Sequence, residues 1–307
     1  MSFLVIGECV ADIVRAPAGS DGADRVHPGG SPANVAYGLA RLGRDVTLLT
    51  QLADDPAGRL IGDHLKGAGV RVQVGGHPER TPSAVVGLDA EGRATYAFDI
   101  AWTLEAGALP GEAPAHVHIG SVAAVTDPGA AAVLAGAERF RDRATVSYDP
   151  NVRPVLMGEH GPAVARVERC VALADLVKAS DEDLAWLYPG ETPEAVAARW
   201  LDLGPDVVLV TRGAAGSFAV TRHHTVAAGA PPADVVDTVG AGDSFMSAVL
   251  DALAARDRAA LDALSAGELA GLLARAGAAA AVTVSRAGAR PPDRAELDAA
   301  CEDLAGK

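Results

Sequence analysis

Apolar and polar positions along the chain fall into alternating patterns. Phe3-Leu-Val-Ile6 is an unbroken apolar run, the pattern of a strand covered on both faces. Residues 32–43 carry apolar side chains at helical spacing and stop at Gly43, and Val46-Thr-Leu-Leu-Thr50 reads as the next strand. A helix is predicted near 56–67 and a strand near 70–74. The period then changes. Ala84-Val-Val-Gly-Leu88 and Ala94-Thr-Tyr-Ala-Phe98 flank Asp89-Ala-Glu-Gly-Arg93, which predicts an antiparallel hairpin. Strand and helix signals alternate again at 116–120, 129–141, 145–148, 162–172, 174–178, 193–202 and 207–210. Short strands come next, followed by helices at 241–256, 259–263 and 267–281. Such alternation predicts an α/β domain with a central, mostly parallel sheet and helices on both faces. The hairpin does not fit that sheet by a short connection. It is expected to form a small β lid from segments about 10–28 and 83–100, on one domain spanning 1–307.

Composition narrows the function. Of 307 residues 49% are hydrophobic but only 4% aromatic, so the core is built from Ala, Val and Leu. The formal net charge of −14 argues against nucleic acid or an anionic membrane surface as partner. An anionic substrate would need a local positive site. Cys9, Cys170 and Cys301 are isolated, which fits neither a metal site nor a disulfide framework and suits a reducing, cytoplasmic setting. No basic segment precedes Glu8, so no signal peptide is expected. No apolar run is read as long enough to span a membrane, and the Ala-rich stretch 276–282 reads as a buried helix.

Two motifs carry the chemistry. In Asp237-Thr-Val-Gly-Ala-Gly-Asp243-Ser-Phe, three small residues precede an acid and an apolar helical run. Small residues let backbone N–H groups approach a ligand, and a helix start adds unpaired donors and its positive dipole end. An anion-binding turn that also carries a carboxylate suits phosphoryl transfer: donors for the phosphate, and a base for the attacking hydroxyl. In Gly29-Gly30-Ser31-Pro32-Ala33-Asn34, running on to Gly43, two glycines open a helix with Pro32 in its first turn. Asn34 there offers a donor and an acceptor to sugar hydroxyls. Glu8 and Asp12 follow the first strand, at the end where parallel sheets bind ligands, and Asp12 can accept from vicinal hydroxyls. No Gly-x-Gly-x-x-Gly follows that strand and no Gly-Lys-Ser/Thr occurs, which argues against a dinucleotide fold and a P-loop. His116 and His118 alternate along a strand without a third ligand at useful spacing.

Together these motifs resemble the two signatures of the PfkB-type carbohydrate kinases, the ribokinase-like family. Asp149-Pro-Asn151-Val-Arg153-Pro resembles the fructokinase and 2-keto-3-deoxygluconate kinase branch, and Val210-Thr211-Arg-Gly213-Ala-Ala-Gly216 resembles the family's nucleotide-side turn. The likeness covers essentially the whole chain. It implies Asp243 as base, with the backbone of Gly240, Ala241 and Gly242 on the transferring phosphoryl group. It implies Asp12, Gly29, Gly30 and Asn34 around the sugar, and Arg153 at the substrate or phosphate. Thr211, Gly213 and Gly216 would border ATP, with Ala278 to Ala281 near the adenine. Magnesium would bridge the ATP phosphates, mostly through water and without direct protein ligands. Many family members carry Asn-x-x-Glu near that metal. Here Lys178-Ala-Ser180-Asp181-Glu182-Asp183 stands instead, which puts Lys178, Ser180 and Asp183 on the ATP side with Asp183 as a shorter counterpart of the glutamate. Asp237 and Val239 stand where some relatives bind a monovalent cation such as potassium.

The resemblance makes the substrate a small sugar: fructose first, with a ketodeoxy sugar acid, a nucleoside or another sugar as alternatives. The rival from another class is a catalytically silent sugar- or nucleotide-binding regulator, against which the intact Asp243 weighs. Tyr96, Phe98 and Trp102 are expected in the lid core or at a homodimer contact through the lid, rather than stacked on the sugar.

Overall fold

In strand β1 (Ser2–Ile6) successive side chains leave the sheet on opposite faces, and both faces are covered. Leu4 and Ile6 join one apolar core, Phe3 and Val5 the other. Val208 and Val210 divide from Val207 and Leu209 in the same way further along the chain. This is why these strands read as unbroken apolar runs.

The computed structural model describes residues 2–15, 23–76, 78–88 and 94–306. After β1 come β2 (Val10–Val14), β3 (Arg25–Gly29), α1 (Ser31–Arg41), β4 (Asp45–Thr50), α2 (Pro56–Gly67), β5 (Arg71–Val74), β6 (Ser83–Leu88) and β7 (Ala94–Asp99). Then follow β8 (His116–Gly120), α3 (Ala130–Phe140), β9 (Thr145–Asp149), α4 (His160–Leu173), β10 (Leu176–Ser180), α5 (Asp181–Leu187), α6 (Pro193–Leu203) and β11 (Val207–Thr211). The chain continues through β12 (Ser217–Val220), β13 (Thr225–Ala228), α7 (Ala241–Leu253), α8 (Arg258–Asp262), α9 (Ala266–Val284) and α10 (Arg294–Ala305).

Among the described residues the larger sheet has nine strands in the order β13-β12-β11-β10-β9-β8-β1-β4-β5. Its pairs are parallel from β11 to β5, while β12 and β13 add antiparallel at one edge. From β1 the chain first builds outward to β4 and β5, then returns to place β8 on the other side. The switch point is therefore beside β1, where open α/β sheets bind ligands beyond the strand ends.

The smaller sheet has the order β3-β2-β6-β7. β6 and β7 pair antiparallel, as the alternating pattern predicts, and β2 pairs parallel to β6. The expected turn at 89–93 lies outside the described residues.

Two sequence expectations change, and one helix is unforeseen. Helix α10 goes unread from periodicity, although its start carries a capping box in which Asp293 and Glu296 each accept from the other's backbone N–H. Trp102 is 1% exposed and belongs to the main core, packed so closely under Gly129 that a Cβ there would lie 2.4 Å from its ring. Helix α9, at 19 residues, is long and apolar enough to cross a membrane by length and composition, contrary to the reading of a shorter helix. Its Leu269, Leu272 and Leu273 instead enter the core shared with α7.

Candidate active site

Gly240 precedes α7 in the left-handed conformation (φ 76°), and a Cβ there would come within 2.6 Å of the Ala289 Cβ. Ser244 N–H closes the helix on Gly240 O at 2.8 Å. Ala241 N–H donates to Thr238 O at 3.3 Å, whereas by helix geometry the Gly242 and Asp243 N–H groups have no intrahelical acceptor, so the turn presents them to the cavity. The Asp237 side chain braces this turn, accepting from Val239 N–H at 3.0 Å and Gly288 N–H at 2.8 Å.

A fixed cation stands behind the turn. Lys178 Nζ donates to Asp149 Oδ2 at 2.9 Å, and both side chains are almost completely buried. A Cβ on Gly242 would lie 3.0 Å from the same Nζ, so only glycine leaves the ammonium its full approach to the backbone. Burial pulls the Lys178 pKa down, but Asp149, Asp183 and Asp243 together push it above the ordinary lysine value. The ammonium therefore stays charged.

Asp243 lies in the first turn of α7, half-buried. Its Oδ1 accepts from Ser31 Oγ at 2.6 Å and its Oδ2 from Asn34 Nδ2 at 2.8 Å. The two motifs, more than 200 residues apart in sequence, thus meet at one carboxylate. Close packing of α1 on α7 brings this about: Gly38 sits where a Cβ would be 2.5 Å from Ser247 Oγ.

Asp12, in β2, faces the same cavity. Gly29 makes room for it, since a Cβ there would strike Asp12 Oδ2 at 2.1 Å. Gly29 acts by that clearance and does not itself line the cavity, whereas Gly30 does. Burial raises the Asp12 pKa to about 6, with Arg153 pulling it down and Asp243 pushing it up. Arg153 itself is exposed, lines the cavity and donates to the Val152 carbonyl at 2.9 Å.

Four strand ends are tied together above the sheet. Glu8, after β1, is buried and accepts from Ala123 N–H at 3.1 Å. Burial lifts its pKa to about 7, against a hydrogen bond from Ser121 that lowers it. Ser121, after β8, accepts in turn from Asn151 Nδ2 at 3.2 Å. Both Ser121 (φ 57°) and Asn151 (φ 38°) hold positive φ without being glycine, a strain typical of positions where the site dictates the backbone. Asn151 N–H donates to Asp149 Oδ1 at 3.1 Å, which completes the link to Lys178.

On the far side, Thr211, Gly213, Gly216, Lys178, Ser180, Asp183 and Val239 all border one continuous cavity of about 1160 Å³. Ala278 does not reach it. That side chain is 1% exposed and belongs to the core, while Gly277, Ala280, Ala281 and Val284, one helical face of α9, line the cavity instead. Asp237 is likewise absent from the lining, being turned into its brace. Ser180 and Asp183 form a capping box on α5, and Asp183 Oδ1 also accepts from Val152 N–H at 2.8 Å. The short aspartate arm therefore grips the loop that carries Arg153. Phe98, in the smaller sheet, lines the cavity alongside Asp12. His116 and His118 are core residues whose rings share Ser147 Oγ at 2.8 and 2.9 Å.

The family model of the pfkB family carbohydrate kinases matches residues 2–296. The chain belongs to that family. It is 34% identical over 262 residues to a fructokinase of Klebsiella pneumoniae, covering 82% of this chain and 84% of that one. Its fold is ribokinase-like. The structure of a Xylella fastidiosa fructokinase with bound ATP superposes with a TM-score of 0.90 at 26% identity, covering 99% of each chain. A double mutant of the Vibrio cholerae O395 fructokinase, with fructose, ADP and a potassium ion bound, gives 0.82 at 26% identity, covering 97% of each chain.

In this pfkB kinase, sequence reasoning passed over Glu8, Ser31, Ser121 and Asn151 as site residues, although all four line the cavity. Ser31 and Asn151 lie inside recognised motifs and Glu8 follows the first strand, so position was a signal for all three. For Ser121 no local signal exists.

Proposed function

We propose that this ATP-dependent carbohydrate kinase phosphorylates fructose. The observation that carries the reading is the Asp243 carboxylate, held by α1 on one side and standing beside the Gly240–Gly242 turn with the Lys178 ammonium behind it. Asp243 takes the proton of the attacking sugar hydroxyl. The sugar oxygen then bonds to the γ-phosphorus as the bond to the β-phosphate oxygen breaks, and ADP leaves. Main-chain N–H groups of the turn and Lys178 stabilise the charge on the transferring group. Asp12 and Asn34 hold sugar hydroxyls, and Gly30 lets the sugar lie against the backbone.

The nucleotide takes the side bordered by Thr211, Gly213, Gly216 and the cavity face of α9. Magnesium would supply charge neutralisation on the phosphates, and Asp183, which lines the cavity on that side, would reach its water shell. A potassium ion beside the turn would be held by main-chain oxygens of Asp237 and Val239. Val10, Asp12, Ala84 and Phe98 put the smaller sheet over the sugar end, where it serves as a lid and as the contact of a homodimer. The three free cysteines suit a cytoplasmic setting.

Fructose is favoured over a ketodeoxy sugar acid by charge. Asp12 and Asp243 line the sugar end, and Arg153 already faces Asp12. A substrate carboxylate would meet these two acids with one exposed arginine to offset them. Steady-state kcat/KM for fructose, 2-keto-3-deoxygluconate and a nucleoside panel tests the assignment. A tenfold preference for the acid, abolished by Arg153→Ala, would overturn fructose and leave the kinase standing.

A further inference from the structure

Ser31 is the first residue of α1, and its hydroxyl is not used as a helix cap: the N-cap is Gly30, with no side-chain capping bond. It is 7% exposed, so water does not account for its partner either. Its Oγ lies 2.6 Å from Asp243 Oδ1, a short charge-assisted distance, while Asn34 holds Oδ2 at 2.8 Å. One donor alone would leave the carboxylate free to turn about its terminal torsion, which is intrinsically soft. Two donors on opposite oxygens, both from the first turn of one helix, fix the plane of the group. A carboxylate has about four lone-pair sites, so the pair of bonds leaves room for the sugar hydroxyl.

We propose that Ser31 is a positioning residue for the base: its hydroxyl orients the Asp243 carboxylate for proton abstraction and does not bind the sugar. The inference rests on the reading of Asp243 as base. It differs from the role of Asn34, which offers its remaining amide oxygen to the sugar. A residue that only orients the base changes turnover and leaves ground-state binding of both substrates in place.

The test is a double-mutant cycle with fructose and ATP. kcat and both KM values are measured for the wild type, Ser31→Ala, Asp243→Asn and the double variant, with the Tm of each as a check on folding. Ser31→Ala is expected to lower kcat by roughly ten- to a hundredfold, the range for losing a hydrogen bond to a charged group. Both KM values should stay within about threefold, and the double variant should be no slower than Asp243→Asn alone. Ser31→Gly, which removes the same hydroxyl, serves if the alanine variant does not fold. A raised fructose KM with unchanged kcat would make Ser31 a sugar ligand and overturn the proposal. So would an independent, multiplicative loss in the Asp243→Asn background, or an unchanged kcat while Asp243→Asn is inactive. Should Asp243→Asn itself retain turnover, the base assignment fails, and that result is read separately from the Ser31 variant.

Discussion

The Lys178 ammonium and the Asp149 carboxylate form an ion pair at 2.9 Å, 5% and 1% exposed, immediately behind the backbone of Gly242. Neighbouring strands β10 and β9 supply the two residues, so the sheet itself sets the separation. A buried pair of this kind is weak evidence for stability, because desolvation opposes the attraction, but removing one partner leaves a bare charge.

Lys178→Met should therefore cost about 3–5 kcal/mol of stability as well as turnover. Adding Asp149→Asn should recover much of the stability and none of the activity. Urea unfolding and a coupled kinase assay separate the two. Full activity in the folded double variant would remove Lys178 from the phosphoryl site.

Asp243→Asn should lower kcat about a hundredfold or more, the usual contribution of a general base, while sugar binding by calorimetry persists. Asp12→Ala should act mainly on the fructose KM. Asn34→Ala should raise that KM and also lower kcat, because its amide donates to Asp243 at 2.8 Å. An effect of either variant confined to the ATP KM would mean that the two ends of the cavity are assigned the wrong way round.

Gly240→Ala should be poorly tolerated. The φ of 76° is costly for an L side chain, and the new methyl would overlap Ala289. The expected result is a lowered Tm together with loss of turnover, whereas Gly267→Ala, a helix position with open space, should leave turnover unchanged. Equal behaviour of the two variants would remove the case for a conformationally required glycine.

Glu8 makes stability depend on pH. Its carboxyl is raised from an ordinary 4.5 to about 7, chiefly by burial. The unfolded chain releases this proton near 4.5 and the folded chain only near 7, so its contribution is full below 4.5 and is lost as pH rises to 7. His116 and His118 work in the opposite sense. Burial lowers both from 6.5 to about 3, so their contribution is lost as pH falls below 6.5. Glu8→Gln isolates the first effect: its stability relative to wild type should improve by on the order of 3 kcal/mol between pH 4.5 and 7.5. A difference that stays constant across that range in urea melts would show that Glu8 titrates normally.

Much of this molecule is written locally. The parallel strands, the hairpin of β6 and β7, and the Gly240–Asp243 turn are all legible in the sequence, because strand patterning, helix starts and glycine conformation depend on near neighbours. The acid and the two glycine motifs mark the cavity for the same reason. Which atoms meet there depends on how the elements are rotated and stacked. Ser31 and Asp243 are 212 residues apart, and only the packing of α1 on α7 brings them to hydrogen-bond distance. The rotation of α9 decides that Ala280 and Ala281 face the cavity while Ala278 faces the core. The Asp183 carboxylate, read from sequence as an ATP-side group, has both oxygens turned onto the Ser180 and Val152 N–H groups. Residue types and spacing specify the chemistry available to a site. The contacts between elements distant in sequence, set by close packing of their side chains, decide which partner each group has.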